Sequence, residues 1–302
     1  MGVGFENRAL AGLELACATS QNFNVVLIRY LPEIEHNREA ESLDLCKEQG
    51  LDYVEFVYDR EHPSGMGTSV EEHVSNFSRV FIDISGMSRL LIVQIIVALI
   101  ESGKRFHILY AEAGIYPPLE EEYEETNDSS PSFISSGIFE IVSSPELSSA
   151  FMLGGAIRLI SFPSFDPNQL SNLVQEVQPT HNDVVHGIPP HEEMVWRTAA
   201  IKQLNETTRK ALQRVKDHEV STLDYRETLQ LIIDLYKEHS TFDRLVIAPT
   251  GSKMQAVAIG ILRGVLADIQ IVYPTPYQFV NLPDYTRGVR QVFHFLVDCT
   301  EI

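Results

Sequence analysis

Apolar and polar positions along the chain switch repeatedly between a helical and a strand period. Helical spacing runs from Glu6 to Thr19, with Leu10, Leu13, Ala16 and Cys17 on one face. Asn24 to Tyr30 is an apolar, β-branched run that predicts a strand, Asn37 to Gln49 is helical again, and Tyr53 to Tyr58 alternates as a strand. Ser69 and Glu72 have capping-box spacing and predict the start of a short helix. Beyond it the pattern predicts a buried strand over Arg79 to Ile84, a helix over Arg89 to Ser102 and a strand over Phe106 to Tyr110. Strands that are apolar throughout and separated by helices specify a parallel sheet covered on both faces, with right-handed crossovers.

The alternation pauses and then resumes. Leu119 to Pro131, with Glu120, Glu121, Glu122, Glu124 and Glu125, is expected to be a solvated loop. Ala156 to Ser161 is a predicted strand, and Asp166 followed by Pro167 marks the start of a helix that runs toward Val177. A long helical region is expected from His191 to His218, carried by Trp196, Ala200, Leu204, Ala211 and Val215, and another helix from Leu223 to His239. Leu245 to Ile247, Ile269 to Val272 and Val292 to Val297 are expected strands, and Lys253 to Leu266 a helix. The fold class is therefore α/β, in two tandem Rossmann-like parallel-sheet halves, 1–150 and 151–302, that look like a duplication.

Composition narrows the class. A length of 302 residues with 44% hydrophobic and 22% charged residues is that of an ordinary globular protein with one large or two moderate domains. Met1 to Glu6 lacks the basic and apolar parts of a secretion signal, so a cytoplasmic protein is expected. Leu90 to Ile100 is too short to span a membrane and is interrupted by Gln94, so it reads as a buried helix. Cys17, Cys46 and Cys299 are isolated, which predicts packing roles rather than disulfides or a zinc site. Against 42 Asp and Glu stand 23 Lys and Arg, a net charge of −19 that repels duplex nucleic acid. An anionic ligand must then be small and held locally.

Candidate chemistry concentrates at two turns. Ile84-Ser85-Gly86-Met87-Ser88-Arg89 and Pro249-Thr250-Gly251-Ser252-Lys253-Met254 each put a hydroxyl residue before glycine at the end of a strand, and a basic residue at the start of an apolar helix. Tyrosines follow the next strand: Tyr110 and Tyr116 in the first case, Tyr273 and Tyr277 in the second, with Glu112 beside the first pair. Gly86 to Tyr110 spans 24 positions and Gly251 to Tyr273 spans 22, by subtraction of residue numbers. Glycine lets a backbone turn tightly and approach a ligand, and the helix behind it offers N–H groups and the positive end of its dipole. Hydroxyls of Ser85, Ser88, Thr250 and Ser252 add donors and Arg89 and Lys253 add charge, a combination suited to phosphate. In an open parallel sheet such turns lie where ligands gather, beyond the carboxyl ends of the strands.

Further candidates flank these. Val3 to Arg8 resembles the end of a short strand leading into a helix, which would bring Glu6 and Arg8 to the Ser85 turn; an internal Glu–Arg pair is the other reading. Asp83 is open to two roles, binding a ligand or holding the N–H groups of its own loop. His181, His186 and His191 are spaced at five residues and complete no metal pattern. No P-loop, nucleophile elbow or Gly-x-Gly-x-x-Gly fingerprint is present, and no catalytic residue, metal or cofactor is assigned.

The two hydroxyl–glycine–basic turns resemble those of CARF domains, the Rossmann-like sensors of cyclic oligonucleotides in prokaryotic immunity, and two such halves in one chain are similar to SAVED domains. The second glycine usual beside that turn is absent in both halves. The resemblance implies a sensor that holds a small nucleotide-like anion between its halves, with Ser85 to Arg89 and Thr250 to Lys253 lining the pocket, and that acts on a separate effector protein. Oligomerisation stays open. So do two alternatives: a phosphodiesterase using Lys253, Arg89 and Glu6 to stabilise charge, and an interaction subunit without a ligand.

Overall fold

The computed structural model describes residues 1–20, 22–33, 36–125, 135–149, 155–279 and 285–298, with the side chains of 135–139 and 276–279 not among those described. Cys299 and the end of the expected acidic loop, 126–131, lie outside these ranges. In chain order the elements are a 3-10 turn at Asn7–Leu10, α1 (Ala11–Thr19), β1 (Val25–Leu31), α2 (Glu39–Glu48), β2 (Tyr53–Asp59), α3 (Met66–Val74), β3 (Phe81–Asp83), α4 (Arg89–Glu101) and β4 (Phe106–Ile115). There follow α5 (Glu120–Glu125), β5 (Ser135–Val142), β6 (Ala156–Ser161), α6 (Pro167–Val177), β7 (His181–Ile188), α7 (Trp196–Leu204), α8 (Glu206–Ala211) and β8 (Val215–Ser221). The chain closes with α9 (Tyr225–His239), β9 (Asp243–Ala248), α10 (Lys253–Val265), β10 (Gln270–Ile271), β11 (Tyr273–Phe279) and β12 (Arg287–Val297).

These elements form two compact units, Met1–Pro117 with Asn281–Ile302, and Pro118–Val280. The division thus differs from one at residue 150: 118–150 belong to the second unit, and the last strand returns to the first. In that unit β1 and β2 pair in parallel, β3 and β4 pair in parallel, and β12 runs antiparallel along β4 from Arg287↔Ile115 to Val297↔Phe106. The first three residues lie beside β1: the Val3 amide donates to the Ile28 carbonyl at 2.8 Å and the Ile28 amide to the Met1 carbonyl at 2.9 Å. α4 is buried along almost its whole length, from Leu90 to Ile100, as its apolar sequence requires.

The second unit is a parallel five-stranded sheet of order β10-β9-β6-β7-β8, beside an antiparallel pair of β5 and β11. Chain direction across the sheet reverses between β6 and β9, which is the switch point at which Rossmann-like sheets open a crevice. α6 begins as the sequence directs, with the Asp166 side chain accepting from the Asn168 amide at 3.0 Å and Pro167 in the first helical turn.

Several elements differ from the sequence expectation. The region from His191 to His218 is two short helices, α7 and α8, followed by strand β8, with the chain breaking at Asn205, whose buried side chain donates to the carbonyls of Ser164 and Ile201. β7 had no apolar signature because its buried polar groups are paired: Arg158 on β6 donates to Asp183 and to Asp243 at 2.7 Å each, and His218 on β8 meets Asp183 at 2.7 Å. α3 starts at Met66 behind the left-handed Gly65 (φ 74°), and the Ser69 hydroxyl donates to the Gly65 carbonyl within the helix instead of capping it. Glu120–Glu125 forms the short helix α5 rather than a loop. No helix among the described residues is long and apolar enough to cross a membrane.

Candidate functional site

The turn after β3 is built largely from groups that satisfy one another. Asp83 accepts the Ser85 amide at 2.9 Å, so it holds its own loop. Ser85 is fully buried and its hydroxyl accepts the Ala111 amide at 2.8 Å, tying the turn to β4. Gly86 packs so closely on the N-terminal segment that a Cβ there would collide with the Gly2 carbonyl, and a Cβ on Gly4 would stand 2.7 Å from the Gly86 carbonyl. The Tyr30 hydroxyl, at the end of β1, accepts the Ser88 amide at 2.9 Å and donates to the Gly86 carbonyl at 3.3 Å. Met87 is buried, whereas Ser88 and Arg89 are half-buried. Ser88 caps α4 by accepting the Leu91 amide at 3.3 Å, and Arg89 is the first helical residue.

Glu6 and Arg8 do lie in the segment that meets this turn, and both are buried. Arg8 donates through Nε to Glu6 at 2.8 Å, and through Nη1 to the Tyr110 hydroxyl at 3.1 Å, the Ala111 carbonyl at 2.9 Å and the Tyr116 hydroxyl at 3.3 Å. Thr286 donates to the same Glu6 oxygen at 3.1 Å. Burial opposes the Arg8 charge, but Glu6 and the two tyrosine hydroxyls more than offset it and hold the guanidinium well above its ordinary value. Burial likewise pushes the Tyr116 phenol up, against the pull of Arg8. Glu112 is buried on β4, opposite Gln291. This network is internal to the unit, and it engages the carboxylate that an enzymatic alternative would have used.

In the second unit the corresponding turn follows β9. The buried Thr250 hydroxyl donates to the Phe162 carbonyl at 2.7 Å and so joins the ends of β9 and β6 across the switch point. Ser252 and Gln255 form a full capping box: the Ser252 amide donates to Gln255 Oε1 at 2.7 Å and the Gln255 amide to Ser252 Oγ at 3.1 Å. Gln255 Oε1 occupies the space a Cβ on Gly251 would need. The Ser252 hydroxyl donates to the Thr222 carbonyl at 2.6 Å, so the Thr250 and Ser252 hydroxyl protons are turned toward carbonyls of the fold. Lys253, half-buried, opens α10. Tyr273 is half-buried at the start of β11, opposite Val142, and the side chain of Tyr277 lies outside the described residues.

What the two turns share is electrostatic. α4 and α10 both begin with a cation and have no acidic residue in the first turn, although a helix dipole favours carboxylates there. In a chain of net charge −19, these are places where N–H groups, dipole and side chain all favour an anion. Two residues that brace these turns, Tyr30 and Gln255, escaped the sequence reading. The signal for Tyr30 was its place at a strand end, and for Gln255 its spacing from Ser252.

Two α/β units with parallel strands, each with a glycine turn that leads into a cation-bearing helix, define the class of protein. No family model matches the chain, and no curated protein matches it. Among solved structures it is similar to a type III CRISPR defence DNA nuclease activated by cyclic oligoadenylate, with a TM-score of 0.56 and 11% identity over 96% of this chain and 67% of that one. At that identity the likeness is one of fold. The cytoplasmic domain of a prokaryotic cation chloride cotransporter aligns over 91% of this chain and 93% of that one at 9% identity, with a TM-score of 0.27.

Proposed function

We propose that the chain is a CARF-like nucleotide sensor of a prokaryotic antiviral defence system, which binds a small cyclic oligonucleotide and passes the signal to a separate effector protein. The observation that carries this reading is the matched pair of turns: in each unit a glycine turn after a parallel strand leads into a helix headed by Arg89 or Lys253 and free of first-turn carboxylates. The fold likeness to a nuclease whose activator is cyclic oligoadenylate supports the choice of ligand class. In this reading Arg89 and Lys253 pair with phosphates, the amides at the starts of α4 and α10 complete the contacts, and Ser85, Thr250 and Ser252 hold the turns in shape.

Isothermal titration with cyclic di-, tri- and tetra-adenylates tests it. One member is expected to bind, and Arg89→Ala and Lys253→Ala each to weaken it about tenfold, the scale of a charge-assisted hydrogen bond. Heat from no member, in protein shown to be folded, counts against the reading.

A further inference from the structure

The second unit holds another group of side chains at the carboxyl edge of its sheet. Beyond β6 the chain runs through Phe162 to Phe165, and beyond β7 it reaches Trp196 and Arg197 at the start of α7. The Arg197 guanidinium carbon lies 4.5 Å from the Phe165 ring centroid and 5.4 Å from that of Trp196, and Nη1 donates to the Pro118 carbonyl at 2.8 Å. The Trp196 ring stands 5.9 Å from Phe165 and 5.7 Å from Tyr123. Phe165 is buried beneath, while Trp196 and Arg197 are half-buried.

This group shares its edge with the Thr250 turn. Phe162, three residues before Phe165, accepts the Thr250 hydroxyl. α7 is tied to the end of β7 by the Thr198 hydroxyl, which donates to the Gly187 carbonyl at 2.8 Å. A Cβ on Gly187 would stand 3.6 Å from Nε2 of Gln255, the capping partner of Ser252. Neighbouring strands therefore carry Trp196 and Arg197 to the same edge as Ser252 and Lys253.

The chemistry of the pair is that of a stacking platform. α7 buries Thr198 and Ala200, while the indole keeps part of its surface open. The guanidinium is fixed between a buried ring and a carbonyl, and so gives up little further freedom when a flat ligand covers it. Indole and guanidinium faces both stack on nucleobases.

We propose that Trp196 and Arg197 form a nucleobase-stacking subsite, which takes a purine of the ligand whose phosphate is held at the Ser252-Lys253 turn. This rests on the nucleotide-sensor reading above.

Trp196 is the single tryptophan of the chain, so its emission reports on this place alone. Cyclic tri- and tetra-adenylate are titrated into the full chain and followed in parallel by tryptophan emission, acrylamide quenching and calorimetry. The expected result is a saturable change in emission with the calorimetric midpoint, and bound ligand shielding Trp196 from acrylamide. Trp196→Phe, which keeps a ring, should retain affinity, and Trp196→Leu should weaken binding about tenfold. Calorimetric binding with unchanged emission and shielding overturns the stacking subsite and leaves the sensor reading in place. Absence of binding overturns both. If Trp196→Leu fails to fold, judged by circular dichroism, the wild-type emission and shielding decide the matter.

Discussion

Arg8 and Glu6 bring a full charge pair into the interior of the first unit, with oxygen partners arranged around the guanidinium. Removing one member of such a pair leaves the other charge stranded, which costs about 3–5 kcal/mol, whereas removing both is far milder. Urea unfolding should therefore show Arg8→Met strongly destabilised, and Arg8→Met with Glu6→Gln substantially recovered; equal loss in both would refute the coupling. A second residue-scale expectation concerns pH. Burial lowers the pKa of His186, outweighing its hydrogen bond to Asp217, and burial also lowers those of His107 and His239. A group that binds its proton less readily folded than unfolded contributes stability above the unfolded pKa of about 6.5, and that stability is lost as pH falls below it. Asp217, held below the usual carboxylate range by its hydrogen bond to Arg209, keeps its charge throughout that window. Melting temperature should thus decline between about pH 7.5 and 5.5, with a shallower slope for His186→Gln. At this scale the sequence pointed to Glu6 and Arg8 from their position, yet no spacing rule tells an inward-paired guanidinium from one that awaits a ligand.

Among elements, the two glycine turns differ in what a methyl group would strike. At Gly86 the obstacle is the Gly2 backbone, which belongs to the segment beside β1 and cannot step aside; at Gly251 it is the end of the Gln255 side chain. Gly86→Ala should accordingly cost about 1–3 kcal/mol through forced backbone displacement. Gly251→Ala should cost about 1 kcal/mol, the worth of a disturbed cap, and combining it with Gln255→Ala should add little. Chemical denaturation of the three variants checks the order, and a milder effect at Gly86 than at Gly251 would contradict it. Helices with apolar faces, such as α1, α4, α9 and α10, were readable from period alone. β7 and β8 were not, because His181, Asp183, Asp217, His218 and Glu219 make them look like solvated chain; pairing with Arg158 is what lets Asp183 and His218 enter a sheet.

For the molecule as a whole, the α/β class was legible because apolar strands alternate with helices, and both turns because a glycine follows the strand. The ownership of β12 was not, since alternation identifies a strand without naming its neighbour. Unit boundaries depend on such pairings: β12 covers the edge of β4 over ten residues or so, as the register from Arg287↔Ile115 to Val297↔Phe106 runs, although the whole second unit separates them in sequence.

The return of β12 also sets an order of events in the cell. A ribosome delivers the chain from its amino end, and domains generally fold as they emerge. Pro118–Val280 is one uninterrupted stretch and can close as soon as it is out, whereas Met1–Pro117 must wait for Asn281–Ile302. Until then β4 presents an unpaired edge, the kind of surface on which nascent chains stick to one another. The half that is made first is thus the half completed last.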